Sequence, residues 1–262
     1  MEKFIIEGGY PLSGEVTPSG NKNAVLPILA ACLLTKEPVI LHNVPDIQDV
    51  QTMRKLIMSL GVKIDDLGSG NWRVHAKEVR PTDLDPDLCR KIRASILLAG
   101  PMTARSGELT LPPPGGDVIG RRRVDTHLLA LEKLGATIIY DRSFTFSAKG
   151  LTGADILLDE ASVTATENAI MACVLAKGHS VIRNAASEPH VQELCQFLTT
   201  LGAKIIHIGS NTLKIEGVDE LHGGEFTVGP DYLEVVSFIG AAVVTNGSIT
   251  IHNAGVKYLD MI

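Results

Sequence analysis

The chain has 262 residues, a formal net charge of −6 and 45% hydrophobic residues. That length buries a large core in one domain or two, and that composition fits a soluble globular protein. The negative charge argues against broad nucleic-acid binding, no apolar run is long enough to span a bilayer, and the opening Met1-Glu2-Lys3-Phe4-Ile5-Ile6 lacks a signal-peptide pattern, so the expected compartment is the cytoplasm.

In chain order, the first chemically suggestive stretch is Ser19-Gly20-Asn21-Lys22-Asn23-Ala24, which opens an apolar helix expected over 24–34. Backbone N–H groups and the helix dipole at such a start favour an anion, and Lys22 adds a point charge. The stretch lacks the GxxxxGK[ST] of a phosphate loop, and an exposed surface lysine is the plain alternative. A strand at Val39-Ile40-Leu41, a turn at Asn43 and a second helix ending at Leu60-Gly61 follow. Val50, Ile57 and Leu60 stand eleven, four and one residues before Gly61, which places them on one helical face. The glycine supplies a left-handed cap before the next strand.

This unit recurs. Small apolar helices are expected over 94–103, 169–176 and 235–244, each followed by a strand, at Leu109-Thr110-Leu111, Ser180-Val181-Ile182 and Ile249-Thr250-Ile251. Val124, Leu131 and Leu134 precede Gly135 at the same offsets, and Val191, Leu198 and Leu201 precede Gly202. Strands and helices alternate, so the fold class is α/β. Arg93, in Lys91-Ile92-Arg93-Ala94-Ser95, holds the helix-start position of the second copy. Thr164 and Glu167 have capping-box spacing at the start of the third.

Two departures stand out against the repeat. From strand to valine is nine residues in the first and third copies (Leu41 to Val50, Ile182 to Val191) but thirteen in the second (Leu111 to Val124). The extra residues fall in the Pro- and Gly-rich loop 112–120, which carries Asp117 and precedes Arg121-Arg122-Arg123. A lid over a small anionic ligand and a tolerated insertion with a solvated arginine edge are the two readings. Asn43 and Asn184 each precede their glycine by eighteen residues, so the fourth copy, with Asn253, would reach its glycine near 271; the chain is expected to be a fragment of a longer protein.

The eight histidines and four cysteines form no metal-ligand spacing, so no metal is expected; Cys32 and Cys173 read as buried thiols and His127 as structural.

Ser19-Gly20-Asn21-Lys22-Asn23-Ala24, Arg93-Ala94-Ser95, the Gly115-Gly116-Asp117 loop with Ile119-Gly120, Val124-Asp125 and Ser162-Val163 together resemble the UDP-N-acetylglucosamine enolpyruvyl transferase family, in order along the chain. The resemblance implies an inside-out α/β barrel fold: three repeated units forming one complete domain over 21–229, with segments 1–20 and 230–262 belonging to the beginning of a second. It implies transfer of the enolpyruvyl group of phosphoenolpyruvate to UDP-N-acetylglucosamine, the first committed step of peptidoglycan synthesis, without a cofactor. Those two small molecules and the missing C-terminal half are then the expected partners; nucleic acid and membrane are not.

Residue by residue, the resemblance places Lys22 and Asn23 at phosphoenolpyruvate and the sugar, and Arg93 and Arg122 at the phosphate-bearing end. It places Val124 and Asp125 under the uridine, Ser162 and Val163 at the nucleotide, and Glu188 and Asp231 near the domain junction. Asp117 stands where the family usually has cysteine, which implies a proton donor that cannot form a thiol adduct and hence resistance to fosfomycin. Asp117, Lys22 and Arg122 are the implied catalytic set. Arg123, Thr126, Glu160 and Val236 replace residues common in the family. Two other readings stay open: a sibling enolpyruvyl-shikimate-phosphate synthase, whose serine-lysine-serine start is here Asn21-Lys22-Asn23, and a non-catalytic UDP-sugar-binding or regulatory domain.

Overall fold

A computed structural model describes residues 3–81, 84–116, 120 and 123–261. Asp117 and Arg122 therefore lie outside the described residues. The chain forms two compact units, Met1–Asn21 with Gly229–Ile262, and Lys22–Val228.

The smaller unit opens with β1 (Ser13–Val16). The larger unit begins with α1 (Lys22–Ala31), which tightens into a single turn over Cys32–Leu34, then runs through β2 (Pro38–His42), α2 (Gln48–Ser59), β3 (Lys63–Gly68) and β4 (Asn71–His75). Its second repeat has α3 (Pro86–Lys91), a 3-10 segment at Arg93–Leu98 leading into α4 (Ala99–Ser106), β5 (Glu108–Leu111), α5 (Asp125–Lys133), β6 (Thr137–Asp141) and β7 (Ser143–Ser147). The third has β8 (Asp155–Leu157), α6 (Val163–Cys173), β9 (His179–Arg183), α7 (Pro189–Thr200), β10 (Lys204–Ile206) and β11 (Thr212–Glu216). β12 (Gly224–Thr227) then returns to the first repeat and pairs parallel with β2, Gly224 against Val39. The smaller unit resumes with α8 (Tyr232–Val244) and β13 (Ser248–Ile251), and β1 pairs parallel with β13.

The larger unit contains three sheets, ordered β12-β2-β4-β3, β5-β7-β6 and β10-β11-β9-β8. Its helices are innermost. Every residue of α1 over 24–31 is buried because that stretch is apolar on all sides, and every residue of α6 over 165–173 is buried too, the polar Thr166, Glu167 and Asn168 included. The strands instead alternate: Val39 and Leu41 of β2 are buried while Pro38 is exposed. Each sheet therefore turns one face to the helices and the other outward, which is the inside-out arrangement expected of the fold.

The repeat signature has a visible cause. Gly61, Gly135 and Gly202 sit at φ of +94°, +98° and +100°, so each caps its helix in a conformation a side chain would strain. Asn43 and Asn184 share φ +57°, and their side chains donate to Val228 O and Leu158 O, just beyond the parallel strands β12 and β8. The same small motif thus ties each turn to its neighbouring strand. Arg105 does similar work between repeats: its guanidinium donates to Leu33 O, Thr35 O and Ala76 O, each at 2.6 Å.

The second-copy helix differs from the expected continuous run over 94–103. It is a 3-10 segment that becomes α-helical only at Ala99. Pro101 has no N–H for the carbonyl of Leu97, which breaks the ladder at that point. Gly100 lets α4 approach α6 closely: a Cβ there would lie 2.5 Å from Asn168 O. All four cysteines are buried free thiols; burial pushes Cys173 and Cys195 up to about 12, so they are inert at neutral pH.

Candidate active site

A cavity of about 400 Å³ opens in the larger unit where helix starts converge. Lys22 and Asn23 are the first two residues of α1, Asp49 the second of α2, Val163 and Thr164 the first two of α6, and His190 the second of α7; all line the cavity. Arg93, at the head of the 3-10 segment, joins them with Lys91 and Gly116. The positive dipole ends of four helices thus converge on one place, reinforced by three cationic side chains. Leu26, Pro27, Ile92 and Leu97 supply an apolar wall. Such a site is built for a small anion with some apolar bulk.

Four residues expected at the site come together here: Lys22, Asn23, Arg93 and Val163. Lys22 Nζ pairs with Asp49 Oδ2 at 3.2 Å. Arg93 Nη2 donates to Arg123 O at 2.8 Å, which holds the start of α5 beside the cavity, and Arg123 in turn pairs with Asp125. Val124 is the residue before α5, and Asp125 lines a separate, more open hollow with Leu128, Glu132 and Asp159. Ser162 caps α6, accepting from Ala165 N at 3.4 Å. Glu188 precedes α7 with its Oε2 buried and unpaired among the described residues. Asp231, in the smaller unit, caps α8 by accepting from Leu233 N and Glu234 N.

The capping-box reading of Thr164 and Glu167 is corrected. Ser162 is the cap; the Thr164 hydroxyl instead meets His127 Nε2 at 3.2 Å. Glu167 is 1% exposed and faces the cavity, with Oε1 unpaired among the described residues. Burial, helped by the Glu188 carboxylate, pushes its pKa well above the usual range. His127 is structural, as expected: it is 1% exposed and neutral, held down to about 3 by burial and by Arg93.

Sequence reasoning missed Asp49, Lys91, Thr164, Glu167 and His190 as cavity residues. Thr164 and Glu167 carried a signal, but local capping accounted for it. Among the described residues, no three His, Cys, Asp or Glu side chains are placed to hold a metal ion, and no helix is long and apolar enough to cross a membrane.

The family model for EPSP synthase (3-phosphoshikimate 1-carboxyvinyltransferase) matches residues 6–262. The chain is 55% identical to the UDP-N-acetylglucosamine 1-carboxyvinyltransferase of Treponema denticola, over 96% of this chain and 59% of that protein. It is equally 55% identical to the protein of that name from Bradyrhizobium diazoefficiens, over 98% and 60%. The chain thus spans about three fifths of the length of the curated relatives it matches. Among solved structures, it is similar to the enolpyruvyl transferase NikO from Streptomyces tendae, with a TM-score of 0.78 and 26% identity over 89% of this chain and 56% of that one. An EPSP synthase from Acinetobacter baumannii shares the fold, with a TM-score of 0.76 at 18% identity over 94% and 56%. With its innermost helices, its repeated units and a family match along almost its entire length, the chain belongs to the EPSP synthase family of enolpyruvyl transferases.

Proposed function

We propose that the protein to which this chain belongs transfers the enolpyruvyl group of phosphoenolpyruvate to a sugar hydroxyl of UDP-N-acetylglucosamine, the first committed step of peptidoglycan synthesis. The observation that carries this reading is the convergence of four α-helix starts with Lys22, Lys91 and Arg93 on one cavity, where a phosphate and a carboxylate find donors and cations. The name shared by relatives at 55% identity supports UDP-N-acetylglucosamine as the acceptor.

The chemistry is addition followed by elimination. A proton goes to the methylene carbon of phosphoenolpyruvate, and the sugar oxygen bonds to the adjacent carbon as its own proton leaves. Loss of a methyl proton and of inorganic phosphate then restores the double bond as an enol ether. Asp117 is the proposed proton donor. Lys22, Arg93 and Arg122 stabilise the phosphate and its departure. Val124, Asp125, Ser162 and Val163 hold the nucleotide, and Asn23 the sugar. Glu188 and Asp231 are further acidic residues assigned to the site in this reading. In this reading, segment 21–229 is the first domain, and 1–20 with 230–262 belong to the second. A cytoplasmic place, a part in cell shape and division, and resistance to fosfomycin follow from the same assignment.

Calorimetry of the chain with UDP-N-acetylglucosamine and with shikimate 3-phosphate tests the choice of acceptor. Binding of the UDP-sugar alone is expected; binding of shikimate 3-phosphate alone rejects the reading.

A further inference from the structure

One chain of buried side chains has a hydrogen-bond polarity that is fixed from a backbone group outward. Gly100 N donates to Asn168 Oδ1 at 2.7 Å. A backbone N–H can only donate, so the oxygen of that side chain is assigned, and its nitrogen faces Ile96 O at 2.9 Å and His127 Nδ1 at 2.8 Å. An amide nitrogen also only donates, so His127 Nδ1 is the acceptor. Because His127 is buried and neutral, its one proton is on Nε2. Nε2 therefore donates to Thr164 Oγ1 at 3.2 Å.

The Thr164 hydroxyl receives a proton from His127 and must send its own elsewhere. A helical threonine commonly bonds the carbonyl four residues back, as Thr166 does with Ser162 O at 2.8 Å; Thr164 makes no such bond. Among the described residues nothing accepts its proton. Thr164 is half-buried and lines the cavity. Independently, Glu167, one turn along α6, brings a fully buried carboxyl with an unpaired oxygen to the same cavity. Two unmet hydrogen-bonding groups on one helix edge point to a ligand that satisfies them.

We propose that Thr164 is a ligand-binding residue whose hydroxyl proton is aimed by Asn168 and His127 at an anionic oxygen, of a phosphate or a carboxylate, held in the cavity beside Lys22 and Arg93. Asn168 and His127 act through Thr164 and are positioning residues. Only the identity of the ligand rests on the proposed function.

The test compares the 262-residue chain with Thr164→Val, which keeps the shape and removes the hydroxyl, and with Thr164→Ser, which restores it. UDP-N-acetylglucosamine, phosphoenolpyruvate and inorganic pyrophosphate are titrated separately by calorimetry. Thr164→Val is expected to weaken at least one of them by about tenfold or more, and Thr164→Ser to recover most of the loss, because a hydrogen bond to a charged oxygen is removed and returned. Imidazole ¹⁵N resonances should report a neutral, Nε2-protonated His127, shifted by ligand in the parent and not in Thr164→Val.

UDP-sugar binding with no ligand of the three weakened by Thr164→Val overturns the inference and leaves the proposed function standing. Thr164-dependent binding of pyrophosphate, with no binding of the UDP-sugar or phosphoenolpyruvate, supports the inference and rejects that function. A chain that binds none of the three rejects both. A His127 protonated on Nδ1 at neutral pH contradicts the polarity directly.

Discussion

Lys22 Nζ stands 3.2 Å from Asp49 Oδ2, so the lysine at the head of α1 is held over the cavity by a carboxylate from the head of α2. Both side chains are about two-fifths exposed, and a pair so placed contributes only about 0–1 kcal/mol to stability. Its significance lies in ligand binding, since Asp49 competes with any anion for Lys22. Asp49→Asn should leave the melting temperature nearly unchanged and tighten pyrophosphate binding about fivefold, the equivalent of about 1 kcal/mol. Calorimetry on the two forms measures this; weaker binding in Asp49→Asn would make the carboxylate a positioning group for Lys22 instead.

Glu167 should make stability depend on pH in a direction opposite to that of an ordinary paired carboxylate. Its folded pKa is raised above the unfolded value of about 4.5 by burial and by Glu188. Between those two values the unfolded chain has lost the proton and the folded chain keeps it. Stability therefore falls as pH rises from about 4.5 towards the folded pKa, by up to about 1.4 kcal/mol per pH unit. Glu167→Gln, which keeps the shape of the neutral acid, should remove that fall. Thermal unfolding at pH 4 and pH 7.5 checks it: the variant should gain at the higher pH only, about 2–4 °C per kcal/mol.

Gly135 isolates the backbone cost of the repeat signature. Its φ is +98° and a Cβ there would have no atom within 4 Å, so nothing but conformation opposes a side chain. Gly135→Ala should cost about 1 kcal/mol in denaturant unfolding. An unchanged midpoint would mean the cap relaxes without consequence.

Asp117 is the proposed proton donor, and its replacement separates acid from nucleophile. Asp117→Asn should lower phosphate release by about 10²–10⁴-fold, the usual contribution of general acid catalysis. Asp117→Cys should retain turnover and become sensitive to fosfomycin. Near-normal turnover in Asp117→Asn removes the assignment.

The repeat was legible because apolar offsets and a left-handed cap are local requirements. Val50, Ile57 and Leu60 before Gly61 are dictated by one helix packing on one core, and the same constraint reappears at Gly135 and Gly202. The split of the second-copy helix was not legible from apolar spacing alone. It occurs where Pro101 withholds an N–H from Leu97 O, a cue that apolar spacing ignores, and where Gly100 meets α6, a contact between residues 68 apart in sequence. Of the residues lining the cavity, Lys22, Asn23, Arg93 and Val163 stand out in the sequence, since they mark helix starts or carry the family pattern. Glu167 was missed because its spacing to Thr164 satisfied a local capping rule, whereas its burial comes from tertiary packing. Asp49 and His190 were missed because each belongs to the second helix of its repeat, and only the assembled fold brings those helix starts to the cavity.

The choice of acceptor is decided by phosphate release from phosphoenolpyruvate, assayed on the native-length protein. Release that requires UDP-N-acetylglucosamine, and is absent with shikimate 3-phosphate, is the predicted result. Release that requires shikimate 3-phosphate instead, or no release with the UDP-sugar bound, would rule out UDP-N-acetylglucosamine as the acceptor.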